Sequence, residues 1–219
     1  MSAPREPGGF IHRFIPAPGT ESSLTLLLLH GTGGDETDLL DIGRQLAPAA
    51  ALLSPRGKVL ENGMPRYFRR LSDGVFDLED LRARTHELAD FVGIAAQRYR
   101  FAPDHVVAVG FSNEANLAAS LLLLRPEVLA GAVLFRPMVP LVPEAMPQLW
   151  EKAVLVAAGR RDPIVSAEEP ERLRRLLADA GAQVRLHWEP AGHGLTPADI
   201  AAASAWLEGR APARRHAPG

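Results

Sequence analysis

The chain has no cysteine among its 219 residues, and this absence excludes several kinds of chemistry. Disulfide bonds, thiolate nucleophiles and cysteine-ligated metals all need a thiol. A chain without cysteine also fits a reducing compartment, so we expect a cytoplasmic location. The histidines show no pairing with the spacing of metal ligands, and we expect no metal and no other cofactor.

Long apolar runs and an excess of one charge are also missing. The longest apolar stretches, LTLLLLH and LAASLLLL, are far shorter than the roughly 20 residues that span a bilayer. The first residues, MSAPREPGGF, contain no hydrophobic segment of the secretory type. The formal net charge of −2 provides no basic field for nucleic acid. We therefore expect no nucleic acid and no membrane span. The substrate is expected to be a small molecule, and monomer and homodimer both stay open.

Short apolar runs alternate along the chain with amphipathic stretches, which is typical of βαβ units and a mostly parallel sheet. The pattern predicts one α/β domain over residues 1–219, in which about 210–219 form a flexible tail. Predicted strands lie at 10–15, 24–29, 50–54, 105–109, 130–135, 153–158 and 183–188. Predicted helices lie at about 36–47, 78–100, 113–124, 168–180 and 197–208.

The stretch GFSNEAN, residues 110–116, stands between a predicted strand and a predicted helix. Many hydrolases present a nucleophilic serine on such a turn, with the pattern Gly-x-Ser-x-Gly. Here Gly110 occupies the first glycine position and Ser112 the serine position, but Glu114 stands where the second glycine belongs. We expect Ser112 to remain a working nucleophile on a locally adjusted turn.

Two further reactive residues follow predicted strands. Asp162 comes just after VLVAA, and His193 lies in PAGHGL after the last strand. The carboxyl ends of parallel strands meet at one edge of a sheet, where ligands bind. The chain order of serine, aspartate and histidine is that of α/β-hydrolases and differs from both classical serine protease folds.

Serine esterase chemistry needs these residue types. A serine hydroxyl becomes nucleophilic when an imidazole takes its proton, and a carboxylate orients that imidazole. Two N–H donors must also stabilise the oxyanion, and the backbone groups of Thr32 and Asn113 are the natural candidates. His30, just before the glycine-rich turn, is interpreted as a support of that turn rather than a catalyst.

The sequence resembles the carboxylesterase/phospholipase (acyl-protein thioesterase-like) family of compact α/β-hydrolases over about residues 20–208. The resemblance rests on LLLLHGTGGDETDLL, GFSNEANLAASLLLLRPEVLAGAVLFRPMVP, GRRDPIV and PAGHGL. It implies an α/β-hydrolase fold, with a mostly parallel central sheet, helices on both faces and no large cap domain. It also implies a serine carboxylesterase for short to medium acyl or aryl esters, with thioesterase and lysophospholipase activity left open. The implied roles are nucleophile for Ser112, orienting acid for Asp162, base for His193 and oxyanion donors for Thr32 and Asn113.

Within the long connection at about 55–77, the stretch GKVLENGMPRYFRRL resembles the pocket-side loop of bacterial esterases in this group. Six residues are tentative pocket residues, with core or loop packing an equally good interpretation: Asn62, Met64, Phe68, Phe76, Met138 and Leu141. Three arginines of the connection are interpreted as a solvated basic face, with attraction of an acidic substrate as the alternative: Arg66, Arg69 and Arg70.

Glu114 is the departure from the family, which has glycine or occasionally alanine at that position. A carboxylate in the first turn of a helix is favoured by the helix dipole. If its negative charge lies near His193, it favours the protonated imidazole, so we expect Glu114 to tune the base.

Two other functions compete with the hydrolase. HGTGGD follows a strand as in nucleotide-binding oxidoreductases, but it lacks the complete glycine pattern and a ribose-binding acid. Alternatively, Glu114 blocks the site and the protein binds ligands without catalysis. Labelling of Ser112 by a fluorophosphonate would exclude this second alternative.

Overall fold

A mostly parallel seven-stranded sheet lies at the centre of the computed structural model, which describes residues 9–19, 23–72 and 75–210. The expected tail beyond Arg210 lies outside the described residues. The strands are β1 (His12–Ile15), β2 (Thr25–Leu29), β3 (Ala51–Pro55), β4 (Val59–Glu61), β5 (Met64–Arg66), β6 (Arg70–Ser72), β7 (Val75–Phe76), β8 (Val106–Phe111), β9 (Gly131–Phe135), β10 (Ala153–Gly159) and β11 (Gln183–Glu189).

The central sheet has the strand order β1-β3-β2-β8-β9-β10-β11. Only β1 pairs antiparallel, with β3 at one edge, and the other neighbours are parallel. Every strand predicted from the sequence is present, with ends that agree or differ by at most two residues. The carboxyl ends of β8, β10 and β11 therefore face the same edge of the sheet.

Helices cover both faces of this sheet. They are α1 (Leu40–Leu46), α2 (Leu78–Tyr99), α3 (Asn113–Leu124), α4 (Glu168–Asp179) and α5 (Pro197–Glu208). Side chains along β2 alternate between the two faces, as the pleat of a strand requires. Leu27 and Leu29 belong to the core that includes residues of α2, α3 and α4, whereas Leu26 and Leu28 belong to the core that includes residues of α1 and α5.

The first helix is shorter than the pattern predicts, because α1 begins at Leu40 rather than near residue 36. The Asp35 carboxylate accepts hydrogen bonds from the backbone N–H and the hydroxyl of Thr37, at 2.7 and 2.6 Å. This local turn competes with helix formation over residues 35–39.

The connection between β3 and α2 forms two small hairpins, β4–β5 and β6–β7, which the sequence analysis left as a loop. Asn62 and Gly63 join β4 to β5 with φ values of 53° and 80°. Two positive φ values in a two-residue loop are typical of a type I′ turn, for which Asn-Gly is the favoured sequence.

No helix or strand lies between β9 and β10, so no cap is inserted there in the described chain. Among the described residues, no helix is both long and apolar enough to cross a membrane.

Candidate active site

The turn that carries Ser112 is a sharp elbow between β8 and α3. Ser112 has φ 56° and ψ −118°, a strained conformation for a residue other than glycine. A Cβ added to Gly110 would lie 2.4 Å from the carbonyl oxygen of Glu114 and 2.6 Å from the nitrogen of Ala115. Because these neighbours are backbone atoms, only glycine fits at position 110.

The structure brings the three predicted triad residues together. The Nε2 atom of His193 lies 3.0 Å from the Oγ atom of Ser112. The Nδ1 atom of His193 lies 2.8 Å from Oδ2 of Asp162. With the proton on Nδ1 donated to the carboxylate, Nε2 is free to accept the serine proton.

The Asp162 carboxylate is held as an anion by its own turn. Its side chain is 2% exposed, and Oδ1 accepts the backbone N–H groups of Val165 and Ile164 at 3.0 and 2.8 Å. Burial alone would raise the pKa of Asp162, but these donors together with His193 outweigh it and hold the pKa below its ordinary value. The group can therefore orient the imidazole and balance its charge at neutral pH.

The glycine-rich turn after β2 presents Thr32. The N–H of Gly34 donates to the carbonyl of Gly31, and the N–H of Gly33 donates to Pro65 on β5, both at 2.9 Å. These bonds occupy the N–H groups of Gly33 and Gly34, the two residues after Thr32, whereas the Thr32 N–H donates to no backbone carbonyl among the described residues.

His30 supports this turn, as expected. Its Nδ1 donates to the carbonyl of Gly31 at 2.8 Å, and its Nε2 accepts the N–H of Gly57 at 2.9 Å. Burial lowers the pKa of His30, so the ring stays neutral and can make both bonds. His30 thus ties the turn to the β3–α2 connection. In nucleotide-binding oxidoreductases a helix begins directly at the glycine-rich turn and binds the phosphate groups with its first N–H groups, whereas α1 begins only at Leu40.

Glu114 is buried, with 3% of its surface exposed. Burial raises its pKa to about 8, although its own backbone N–H and the Arg66 charge act in the other direction. The acid is therefore mostly uncharged at neutral pH. Because burial keeps the proton on the carboxyl at neutral pH, the expected tuning of His193 by a negative charge at Glu114 stays a prediction that concerns the ionised acid at higher pH.

Arg66 is also buried, with 1% exposure, so the interpretation as a solvated face is wrong for this residue. Its Nη1 donates to Oε2 of Glu61 at 2.7 Å, and Arg70 donates to the other oxygen of Glu61 from Nε and Nη2 at 3.0 and 2.9 Å. These bonds and charges hold the pKa of Glu61 below its ordinary value. Arg69 is 63% exposed, as a solvated residue should be.

The tentative pocket residues separate into two groups. Phe68 and Leu141 belong to the hydrophobic core, and Phe76 packs edge-on against Phe68 with ring centroids 5.6 Å apart. Core packing, the alternative interpretation, accounts for these three residues.

Met64 and Met138 lie closer to the elements of the site. Met64 is 42% exposed, and its sulfur would lie 3.5 Å from a Cβ at Gly33 in the Thr32 turn. The backbone N–H of Met138 donates to the Asn116 side chain on α3 at 2.8 Å. Asn62 is exposed in the β4–β5 turn, and the positive φ of that turn accounts for its residue type.

The sequence analysis missed Arg136 and Asp199, which form a buried ion pair at 2.7 Å next to the loop of His193. The available signal was an arginine directly after the apolar run AVLF, at the end of a predicted central strand. A charge at such a position is rarely buried without a partner.

No group of three histidine, aspartate or glutamate side chains that could hold a metal ion lies within the described residues.

Known proteins resemble this chain over most of its length. The profile of the dienelactone hydrolase family matches residues 59–207. A protein of Bacillus subtilis (strain 168) named as a hydrolase, MhqD, is 50% identical over 196 residues, which are 90% of this chain and 98% of that protein. The expected α/β-hydrolase fold and enzyme class are confirmed by this family match and by two carboxylesterase structures.

The crystal structure of the Bacillus cereus carboxylesterase is 48% identical, with a TM-score of 0.88, and covers 91% of this chain and 94% of that one. A carboxylesterase from Mesorhizobium loti is 36% identical, with a TM-score of 0.83, and covers 91% and 95%. In the described part of this chain the shared fold carries no large cap, as the sequence predicted.

Replacement of Gly110 by alanine tests the elbow. The added Cβ would overlap backbone atoms at 2.4 Å, so α3 must shift. We expect a loss of about 1–3 kcal/mol in the free energy of unfolding and slower labelling of Ser112 by a fluorophosphonate. Gly93→Ala in α2 is the matched control, because a Cβ there meets nothing within 4 Å. Equal free energies of unfolding for the two variants would show that the elbow accommodates a Cβ at position 110.

Replacement of Glu114 by glutamine tests its protonation. With a folded pKa of about 8 against an ordinary 4.5, the folded state binds more protons than the unfolded state between these values. The contribution of the protonated Glu114 carboxyl to the free energy of unfolding is therefore complete below about pH 4.5 and is lost as pH rises through about 8.

Glutamine cannot ionise, so we expect the variant to lose less stability than the wild type between pH 5 and pH 8.5, by on the order of a few kcal/mol. Urea unfolding at both pH values measures this difference. Glu208→Gln, at an exposed carboxyl, serves as the control. Parallel pH slopes for the Glu114 variant and the wild type would mean that Glu114 is ionised in the folded protein.

Proposed function

The chain belongs to the dienelactone hydrolase family and is a carboxylesterase-like hydrolase, and from this premise we propose that it cleaves short to medium acyl or aryl esters by a serine mechanism. The observation that carries the proposal is the continuous run of hydrogen bonds from Asp162 through His193 to Ser112. An aligned nucleophile, base and orienting acid at the carboxyl edge of a parallel sheet is the arrangement that acyl transfer requires.

In the proposed reaction, the Oγ atom of Ser112 attacks the ester carbonyl carbon while its proton passes to Nε2 of His193. The tetrahedral intermediate collapses, the bond to the alcohol oxygen breaks, and His193 gives its proton to the departing alcohol. Water then attacks the acyl-enzyme with His193 again as base, which releases the carboxylic acid and regenerates Ser112. Asp162 keeps the imidazole oriented throughout.

The proposed oxyanion donors are the backbone N–H groups of Thr32 and Asn113. Asn113 is the first residue of α3, and the first N–H groups of a helix have no partner within the helix. Thr32 is supported by its place in the glycine-rich turn after β2 and by its N–H, which donates to no backbone carbonyl among the described residues, unlike those of Gly33 and Gly34. Donors fixed in this way stabilise a developing negative charge without reorganisation.

A non-catalytic binding protein is the weaker proposal. It requires the Glu114 side chain to obstruct the nucleophile, yet that side chain is buried, and Ser112 and His193 remain 3.0 Å apart. Thioesters and lysophospholipids could react by the same steps, but two relatives named as carboxylesterases favour oxygen esters.

Replacement of Ser112 by alanine tests the mechanism. We expect kcat on a nitrophenyl ester to fall by about 10⁴-fold or more with the fold intact. Mass spectrometry should find a fluorophosphonate adduct on the wild type and none on the variant. Full activity in the variant, or loss of wild-type activity on addition of a chelator, would rule out this mechanism.

Replacement of Met64 by alanine tests whether the β4–β5 hairpin contributes to substrate selectivity. Met64 lies against the turn that presents Thr32, so its loss should change the kcat/KM ratio of two esters by several-fold. Leu60→Ala is the matched control, because Leu60 lies on the opposite face of the same hairpin. Equal effects of Met64→Ala on every ester would assign the residue a structural role only.

A further inference from the structure

Arg136 stands at the carboxyl end of β9 and is almost fully buried, with 1% exposure. Its backbone has φ 53°, in the left-handed region that residues other than glycine seldom adopt. Its N–H donates to the carbonyl of Ala157 on β10 at 2.7 Å, so the strained residue remains tied to the sheet. The strained backbone and the buried charge both suggest that this arginine has a specific task.

The guanidinium holds the loop on both sides of His193. Nε donates to the carbonyl of Gly192 at 3.1 Å, and Nη2 donates to the carbonyl of Gly194 at 3.2 Å. Nη1 donates to the carbonyl of Ala157 at 3.2 Å, which fastens the group to the sheet. Two short bonds to Asp199, at 2.8 and 2.7 Å, occupy the other two N–H groups, so all five donors have acceptors.

Asp199 connects the same guanidinium to α5. Both side chains of the pair have 0% exposure. The Asp199 carboxylate also accepts the backbone N–H and the hydroxyl of Thr196, both at 2.9 Å, at the start of the helix. Burial alone would raise the pKa of Asp199, but Arg136 and Thr196 outweigh it and hold the pKa below its ordinary value. The far end of the His193 loop is thus fixed by the same ion pair.

The two residues flanking His193 are glycines, which have the greatest backbone freedom of any residue. A base between two glycines needs an external constraint, because a misplacement of 1 Å can cost about 10²-fold in rate. We propose that Arg136 and Asp199 form a positioning pair, which holds the peptide groups on both sides of His193 and so keeps Nε2 in reach of Ser112. This inference rests on the proposed function, in which His193 is the base.

Arg136→Lys is the first test, because lysine keeps the charge but lacks the planar fork that reaches both glycine carbonyls. We expect kcat on a nitrophenyl ester to fall by about 10²-fold while KM changes little. The rate of Ser112 labelling by a fluorophosphonate should fall equally. The downfield proton resonance of the His193 Nδ1–H should broaden or disappear, because the imidazole no longer keeps one orientation.

A second variant tests the same positioning role in case Arg136→Lys does not fold. Arg136→Met combined with Asp199→Leu removes both charges together, and such replacements of buried ion pairs are often tolerated. Leu173→Ala is the matched control, because loss of this fully buried side chain of α4 should lower the unfolding temperature. Leu173 belongs to the core that includes α2, α3 and α4, whereas Leu195 of the His193 loop packs against the other core. The control variant should keep the wild-type labelling rate and the wild-type Nδ1–H resonance.

Wild-type kcat, labelling rate and Nδ1–H resonance in either folded Arg136 variant would overturn the positioning role. Equal losses in Leu173→Ala would also overturn it, because they would follow from stability alone. Failure of the proposed function gives a different result. Wild-type protein would then not be labelled, Ser112→Ala would remain active, and the Nδ1–H resonance would still report whether Arg136 orients His193.

Discussion

The contact between the backbone of Gly110 and the first turn of α3 is the constraint on which the candidate site depends. The added Cβ of any other residue would lie 2.4 Å from the Glu114 carbonyl, so β8 and α3 can meet this closely only at a glycine. The close approach leaves a single residue to reverse the chain, and Ser112 does so at φ 56°. That strained turn raises the serine side chain above the sheet, where His193 meets it at 3.0 Å. The strain is compensated by a helix whose residues are almost all buried.

Local patterns predicted most of the fold. The runs LTLLLL and HVVAV became central strands because their side chains are apolar on both faces, and each face is covered by helices. Parallel strands then bring their carboxyl ends to one edge, so the order of Ser112, Asp162 and His193 was enough to predict their meeting. The hairpin at Asn62-Gly63 could also have been predicted from its turn residues, but the surrounding polar segment has no clear period.

Charge states and buried pairs could not be predicted in the same way. The protonation of Glu114 depends on burial, and the two side chains that interact with it electrostatically, Arg66 and Tyr67, lie far from it in the sequence. Asp199 lies 63 positions from Arg136, and no local period links the two. A sequence pattern reports which residue types face a core, but desolvation and pairing are properties of the assembled interior.

A second glycine contact resembles the one at Gly110. A Cβ on Gly159, at the end of β10, would lie 2.4 Å from the carbonyl of Gly192 and 2.8 Å from that of Ala191. The backbone of Arg161 donates to the same Ala191 carbonyl at 2.9 Å, so the loop of the acid and the loop of the base touch through main-chain atoms. The site is thus assembled by backbone contacts at the ends of two strands. Positions where backbones touch admit only glycine, whereas position 114, where the family has glycine, accommodates a glutamate whose side chain is buried.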